Sequence, residues 1–383
     1  MRILIVSATY PPSTNGVAIS TQRTVKELKK QGHHVYVAAP KHKFKKEQID
    51  IELPSVNNPF IKDYPLVLPF PSHSLITKIK KINIDIIHVH HPLYIGNIAR
   101  FIGKTKKTPI VFTYHTRYDE YAHQYLPFLP EKAVKQQINK KIKKFCEKCN
   151  AVIATTKTFQ QKLKKSFSVP VYYASTAGLP KIKQNTSNAK FIRKKFNIPN
   201  SKSILINVSR HVIEKNLQLI LQTASLLDPN KFFTIMIGDG SYSKDLKKMA
   251  QKLNLQNSIK FLGKISQKNL FDYLSASDIF LYSSTTDTIG INILEAMAVN
   301  LPVIAVKDKN TAEVVKHHQN GYLLPPDPKK FAKHILLLKE NPKLKKQFSN
   351  YAKNTAKNFS IKNTTLDLIK IYQKIIKFDK INK

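Results

Sequence analysis

Along the chain, short apolar runs alternate with segments whose apolar residues recur every three to four positions. The first half predicts strands at 2–6, 34–39, 84–89, 109–113, 151–154 and 169–173, with helices at 18–31, 94–105, 131–148 and 157–165 between them. A second series predicts strands at 203–208, 232–237, 258–262, 278–282 and 302–306, and helices near 216–227, 242–253, 266–275, 290–299 and 310–318. The strands are short and rich in Val and Ile, as strands covered on both faces are. Polar residues at 181–190 part the two series, and the tail from about 328 to 377 reads as helix. The pattern predicts an α/β chain of two domains, 1–182 and 183–360, each with a parallel sheet.

Open parallel sheets take ligands at the carboxyl ends of their strands, so two such domains facing each other place a binding cleft between those ends. The residues that follow strands therefore carry the chemistry. After 278–282 the chain reads Ser283-Ser284-Thr285-Thr286-Asp287-Thr288-Ile289-Gly290, then turns helical through Glu295. A helix opening on a small-residue loop presents free N–H groups and partial positive charge, which suits a diphosphate. Asp287 and Glu295 could hold hydroxyls on either side of that anion, the outline of a nucleotide-sugar. Arg210 and Lys215 follow the strand 203–208 and can neutralise a diphosphate, or stand as two solvated cations among 64. Gly238-Asp239-Gly240 follows the next strand and reads first as a tight turn. Gly16, after the first strand, either admits backbone amides to a phosphate or merely starts a helix. His88, His90 and His91, then His115, end two further strands. With no carboxylate or cysteine at ligand spacing, they predict no metal site, and His115 is the first choice for a histidine that hydrogen-bonds substrate.

Composition adds charge to this picture. Lys and Arg number 64 against 24 Asp and Glu, a net +40. Such a field favours anionic partners, although abundant Lys, Asn and Ile with few glycines also fit an AT-rich genome. No helix-turn-helix, finger or RNA-binding signature appears, so no specific nucleic acid is expected. The segment 131–148 carries Val134, Ile138, Ile142 and Phe145 at helical spacing, ringed by Lys132, Lys135, Lys140, Lys141, Lys143 and Lys144. A basic amphipathic helix of this kind either lies on an anionic membrane or packs on a core with its lysines in water. Two cysteines, Cys146 and Cys149, read as ordinary helix residues in a reducing compartment. No apolar run is long enough to span a bilayer, and Met1–Val6 reads as a buried strand, not a signal peptide.

Taken together, the Pro11-Pro12-x-x-x-Gly16-Val17 start, the Arg210–Lys215 pair, Gly238-Asp239-Gly240 and the Asp287-x7-Glu295 motif ending in Glu295-Ala296-Met297-Ala298 resemble retaining glycosyltransferases of family 4. The resemblance covers almost the whole chain. It implies the GT-B fold: two Rossmann-like domains, with a C-terminal helix at 361–383 crossing back to the first. It implies that Glu295 takes the donor's ribose hydroxyls and that Arg210 and Lys215 take its diphosphate. Asp287 would hold the sugar, and amides of Thr288, Ile289, Gly290 and Ile291 would assist. Gly16 would approach the diphosphate, Gly238 would belong to the donor site, and His115 would contact the sugar. No cofactor or metal is implied.

Ile87-His88-Val89-His90-His91-Pro92-Leu93 and Thr113-Tyr114-His115-Thr116-Arg117-Tyr118-Asp119-Glu120-Tyr121 look like bacterial diacylglycerol glucosyltransferases. The expected activity is transfer of a hexose, glucose from UDP-glucose, to a lipid such as diacylglycerol. The expected place is the cytoplasmic face of the membrane, held peripherally through Lys132, Lys135, Lys140, Lys141 and Lys144. The alternative acceptor is a soluble or polyprenyl-linked glycan of the cell envelope. The chain departs from the family pattern at Asp287, usually Glu, at Ile289, usually aromatic or polar, and at Asn300, often Gly.

Overall fold

The computed structural model describes residues 1–13, 15–40, 49–56, 65–68, 73–115, 130–182, 186–287 and 289–381. The chain forms two compact units, Met1–Gly178 together with Ile361–Lys383, and Leu179–Ser360.

Among its described residues the first unit holds nine strands: β1 (Arg2–Val6), β2 (His34–Pro40), β3 (Ile51–Leu53), β4 (Ser55–Val56), β5 (Leu66–Val67), β6 (Ile86–Val89), β7 (Ile110–Tyr114), β8 (Ala151–Ala154) and β9 (Val171–Tyr173). Seven build one sheet in the order β3-β2-β1-β6-β7-β8-β9, every pair parallel, while β4 and β5 form a separate antiparallel ribbon. The sheet grows outward both ways from β1, which makes the gap between β1 and β6 its switch point. Ile5 stands beside His88 in that register.

Apolar side chains cover both faces. One layer joins the helices Ile95–Lys106, Glu131–Cys146 and Lys157–Lys164 to the sheet. The other holds Val25 and Leu28 of the helix Gly16–Lys30 with Leu368, Ile369, Ile371, Tyr372 and Ile375 of the helix Ile361–Ile381. The last helix is thus part of the first unit's core. Val134, Ile142 and Phe145 are buried in the first layer, and Ile138 packs against it. The apolar stripe of Glu131–Cys146 is therefore spent on the protein core. Its lysine face, with Lys132, Lys140, Lys141, Lys143 and Lys144 exposed and Lys135 half-buried, is what remains for a membrane.

The second unit carries β10 (Ser203–Val208), β11 (Phe232–Ile237), β12 (Ile259–Phe261), β13 (Ile279–Tyr282), β14 (Val303–Val306) and β15 (Gly321–Leu324). They form one parallel sheet in the order β12-β11-β10-β13-β14-β15. Its switch point lies between β10 and β13. The pattern of apolar residues did not predict β15. Gly321 lies so close to β14 that a Cβ there would stand 2.2 Å from the Val303 carbonyl oxygen, so the strand needs a residue that breaks the strand signal. Asn300, where the family often has Gly, has φ of +68°, a conformation that Gly and Asn tolerate best. Among the described residues no helix is long and apolar enough to cross a membrane.

Candidate active site

The switch point of the second unit gathers the polar residues. Beyond β10 the chain runs through Arg210 into a short helical turn, Ile213–Lys215, closed by Asn216 at φ of +50°. Ser283, just past β13, donates its hydroxyl to the Lys215 carbonyl at 2.6 Å and ties the turn to the neighbouring strand. Lys215 is only 6% exposed. Its ammonium meets Asp287 Oδ1 at 2.6 Å and Ser284 Oγ at 3.4 Å. Tyr282 donates its phenol to Asp287 Oδ2, and Asn310 Nδ2 donates to the Asp287 carbonyl at 3.3 Å. Burial pushes the Asp287 carboxyl up, but the Lys215 charge and the hydrogen bonds from Lys215, Tyr282 and Ser284 outweigh it and hold it below the usual carboxylate range. Asp287 is therefore a carboxylate, a hydroxyl acceptor held in place from several sides.

The helix Ile291–Ala298 begins at the same point. Asn292 Nδ2 donates to the Val208 carbonyl, which pins the first turn of the helix to the end of β10. Gly290 caps it, and a Cβ there would meet Ile293 Cδ1 at 2.7 Å. Glu295 faces inward, 6% exposed, and accepts from Gln267 Nε2 at 2.9 Å. Gln267 opens the helix Gln267–Ser275, whose cap Ser266 accepts the Asn269 N–H at 3.3 Å. Thr288 lies outside the described residues.

Arg210 stands apart from the buried pair. Its side chain is 56% exposed and its guanidinium is 3.7 Å from Glu214 Oε1. The loop that carries it rests on the two glycines after β11. A Cβ on Gly238, at φ of +132°, would stand 1.7 Å from the Ser209 carbonyl oxygen, and one on Gly240 would stand 2.3 Å from that of His211. The Gly238 N–H donates to the Gly263 carbonyl at 2.9 Å. Gly238 therefore shapes the Ser209–Lys215 loop through backbone contact. His211, buried, bonds Ser243 Oγ through Nδ1 at 3.1 Å, and burial lowers its pKa against the opposing pull of Asp239.

The first unit brings four histidines together at the carboxyl ends of β6 and β7. His88 lies between the Tyr372 hydroxyl at 2.5 Å and Thr113 Oγ1 at 2.6 Å. His91 Nδ1 accepts the Ala8 N–H at 3.0 Å. His90 Nδ1 and His115 Nε2 are 2.7 Å apart, with the two rings stacked. His88 and His90 lie on one side of the strand with ring centroids 4.2 Å apart. Burial lowers His88 and His91 to about 3, and takes His90 and His115 well below the ordinary value, so all four are neutral imidazoles. Among the described residues no group of three or more His, Cys, Asp or Glu could hold a metal. Gly16 opens the helix Gly16–Lys30, where Asn15 Oδ1 accepts the Ala18 N–H at 2.9 Å. The segment Thr116–Tyr121 lies outside the described residues. Cys146 and Cys149 are free and buried, and burial pushes the Cys149 thiol up to about 12.

The sequence set Lys215 beside Arg210, and Asp287 beside Glu295. The structure joins Lys215 to Asp287 directly and places Glu295 on the helix that starts beside them. Tyr282, Gln267, Asn292 and Asn310 escaped the sequence reading, and Ser283 and Ser284 entered it only as part of a small-residue loop. The one available signal was the polar run Tyr282-Ser283-Ser284 at the end of a central strand.

Residues 188–355 match the family described as Glycosyl transferases group 1, and residues 14–172 match Glycosyltransferase Family 4. The chain is 30% identical over 318 residues to the alpha-monoglucosyldiacylglycerol synthase of Streptococcus pneumoniae, covering 80% of this chain and 71% of that protein. It is 26% identical over 376 residues to the enzyme of the same name from Acholeplasma laidlawii, covering 94% of each. Among solved structures, a glycosyltransferase from Rickettsia africae superposes with a TM-score of 0.79 at 22% identity, covering 98% of both chains.

Proposed function

The chain belongs to the family 4 glycosyltransferases, with the GT-B fold, and from that premise we propose that it transfers glucose from UDP-glucose to a hydroxyl of a membrane lipid such as diacylglycerol. The likeness to two alpha-monoglucosyldiacylglycerol synthases, one of them along 94% of both chains, is the observation that carries this acceptor. In this reading Arg210, Lys215 and the amides of Ile289 and Gly290 meet the diphosphate, the Ile291 N–H being engaged by the Ile289 carbonyl at 3.0 Å, and the Glu295 carboxylate takes the ribose hydroxyls. Asp287 orients the sugar. Breaking the glycosidic bond builds negative charge on the diphosphate, and Lys215 stabilises that charge as it grows. His115, neutral and backed by His90, offers a ring nitrogen to the sugar without adding charge. The anomeric configuration is retained, and fixed cations and amides do the electrostatic work that a metal ion does in other transferases.

The enzyme would act as a peripheral protein on the inner face of the cell membrane. Each exposed lysine of Glu131–Cys146 near an anionic surface contributes about 1 kcal/mol. The test is to incubate the protein with micelles of diacylglycerol and a panel of UDP- and GDP-sugars, then measure the organic-phase product by mass spectrometry. Hexosyl-diacylglycerol from UDP-glucose alone is the expected product. Transfer only to water-soluble glycans, or no use of UDP-glucose, overturns the proposal.

A further inference from the structure

We infer that the first unit carries a second anion site, a pocket for a phosphate ester built from Arg100, Lys104, Lys148 and Asn150. It lies at the end of the sheet opposite the histidines. The pocket opens between the end of the helix Ile95–Lys106 and the turn after Glu131–Cys146, beside the amino ends of β7 and β8. Its volume is about 470 Å³, and Gly103, Thr108 and Ile110 complete its wall. That lies within the range of about 300–1,000 Å³ usual for small-molecule sites and exceeds what a bare ion needs. Gly103 keeps it open on one side: a Cβ there would already stand 2.7 Å from Ile110 Cδ1.

The charged groups that line it are donors. Asn150 Oδ1 is committed to the Ile110 N–H at 2.9 Å, which leaves the Asn150 NH2 as the group on offer. The Thr108 hydroxyl donates within the wall, to the carbonyls of Ile84 and Lys106 at 3.3 and 3.2 Å, and is not among the groups on offer. Arg100 brings a planar fork, and Lys104 and Lys148 bring point charges, the donor set that phosphate oxygens accept. Among the described residues no carboxylate pairs with Arg100, Lys104, Lys144 or Lys148; the nearby Glu147 is 3.8 Å from Lys143. The Arg100 charge lowers the Lys148 pKa, with lesser contributions from burial, Lys144 and Lys104.

A plainer account is that two helices end here and their carbonyls favour cations. That explains a lysine at each end. It does not explain three cations lining one concavity with an amide NH2 and no counter-charge. Lys140, Lys144 and Lys148 also recur at every fourth position, so the exposed lysine face of Glu131–Cys146 leads to the pocket. The site uses none of the donor-site residues, so its test does not depend on the donor reading.

The phosphate ester can come from an anionic phospholipid headgroup or from a soluble metabolite. The test compares wild type, the triple variant Arg100→Gln, Lys104→Gln, Lys148→Gln, and a control triple in the second unit, Lys329→Gln, Lys330→Gln, Lys333→Gln, which removes the same charge. The probes are glycerol phosphate, followed by calorimetry, and phosphatidylcholine vesicles with or without phosphatidylglycerol, followed by co-sedimentation. The site triple should lose binding about tenfold or more while the control keeps it, with both melting like wild type. Loss seen with phosphatidylglycerol vesicles alone assigns the site to lipid, and loss seen with glycerol phosphate alone assigns it to a soluble ester. Equal loss in both triples, or none in either, overturns the inference. Replacing Lys148 alone gives a second measure, since it lies past the helix end and changes no buried contact.

Discussion

Acidification should unfold this protein through the histidines of its first unit. His88 and His91 are 1% and 5% exposed, and burial lowers both from 6.5 to about 3. In the unfolded chain each titrates near 6.5, so between about pH 6.5 and pH 3 the unfolded form holds a proton that the folded form lacks. Stability is complete above that window and falls as the pH drops into it, by about 1.4 kcal/mol per pH unit for each histidine. At about pH 5 the loss is about 2 kcal/mol per group, or about 4 kcal/mol for the two. His90 and His115 act in the same direction. A domain has about 5–15 kcal/mol in total, so the loss is a large share of it.

The assay is urea unfolding followed by circular dichroism at about pH 7.5, 6 and 5. His91→Asn is the informative variant. His91 Nδ1 accepts the Ala8 N–H at 3.0 Å, and an Asn carbonyl can accept that bond without titrating. The variant should lose about 1.4 kcal/mol per pH unit of the acid slope. Identical slopes for wild type and His91→Asn, or a flat stability from neutral pH to about 5, would refute the reasoning.

Three further outcomes follow from the geometry. On the proposed reading, Glu295→Ala should weaken UDP binding by about tenfold to a hundredfold in a calorimetric titration, because the acceptor that Gln267 holds in place is lost. Gly238→Ala should destabilise the second unit by about 3 kcal/mol or more in thermal melts, since φ is +132° and the new Cβ would meet the Ser209 carbonyl oxygen at 1.7 Å. Ending the chain after Ser360 removes Leu368, Ile371, Tyr372 and Ile375 from the first unit's core, at about 2 kcal/mol each; the truncated protein should be cleaved by protease throughout that unit.

The alternation of Val/Ile strands with helices was enough to read two parallel sheets, because long periodic segments carry their own signal. The short elements did not. β3 has three residues and β4 and β5 two each, too few for a period to register. The candidate site was legible as a set of positions after strands and opaque as a set of partners. Lys215 and Asp287 are 72 residues apart, and only the switch between β10 and β13 makes them neighbours. Gly238-Asp239-Gly240 was likewise legible as a tight turn, but not the close approach of the Ser209 carbonyl to the bare face of Gly238. The stripe of Glu131–Cys146 shows the same limit from the other side. An apolar helix face looks alike whether lipid or a protein core covers it, and Gly96 is what decides: its missing side chain admits the Phe145 ring, which a Cβ would meet at 2.6 Å.

The pair at the switch point also explains why Asp can stand where the family usually has Glu. Asp287 Oδ1 is already 2.6 Å from Lys215 and its other oxygen receives the Tyr282 phenol, so a longer side chain would need a different path to the same partners. A buried ion pair adds little net stability, because desolvating both charges offsets their attraction. On the proposed reading its value lies in holding the Lys215 ammonium aimed and charge-compensated until a diphosphate arrives. Asp287→Asn removes the compensation and keeps the shape. On the proposed reading it should tighten UDP, the product that carries the charge, while lowering turnover, since the sugar loses its orienting carboxylate. Lys215→Ala should instead cut turnover by about 10²–10³ and weaken UDP. The two variants therefore move product affinity in opposite directions, measurable by calorimetry beside steady-state rates. If both weaken UDP, the carboxylate contacts the donor in some other way and the compensation argument fails.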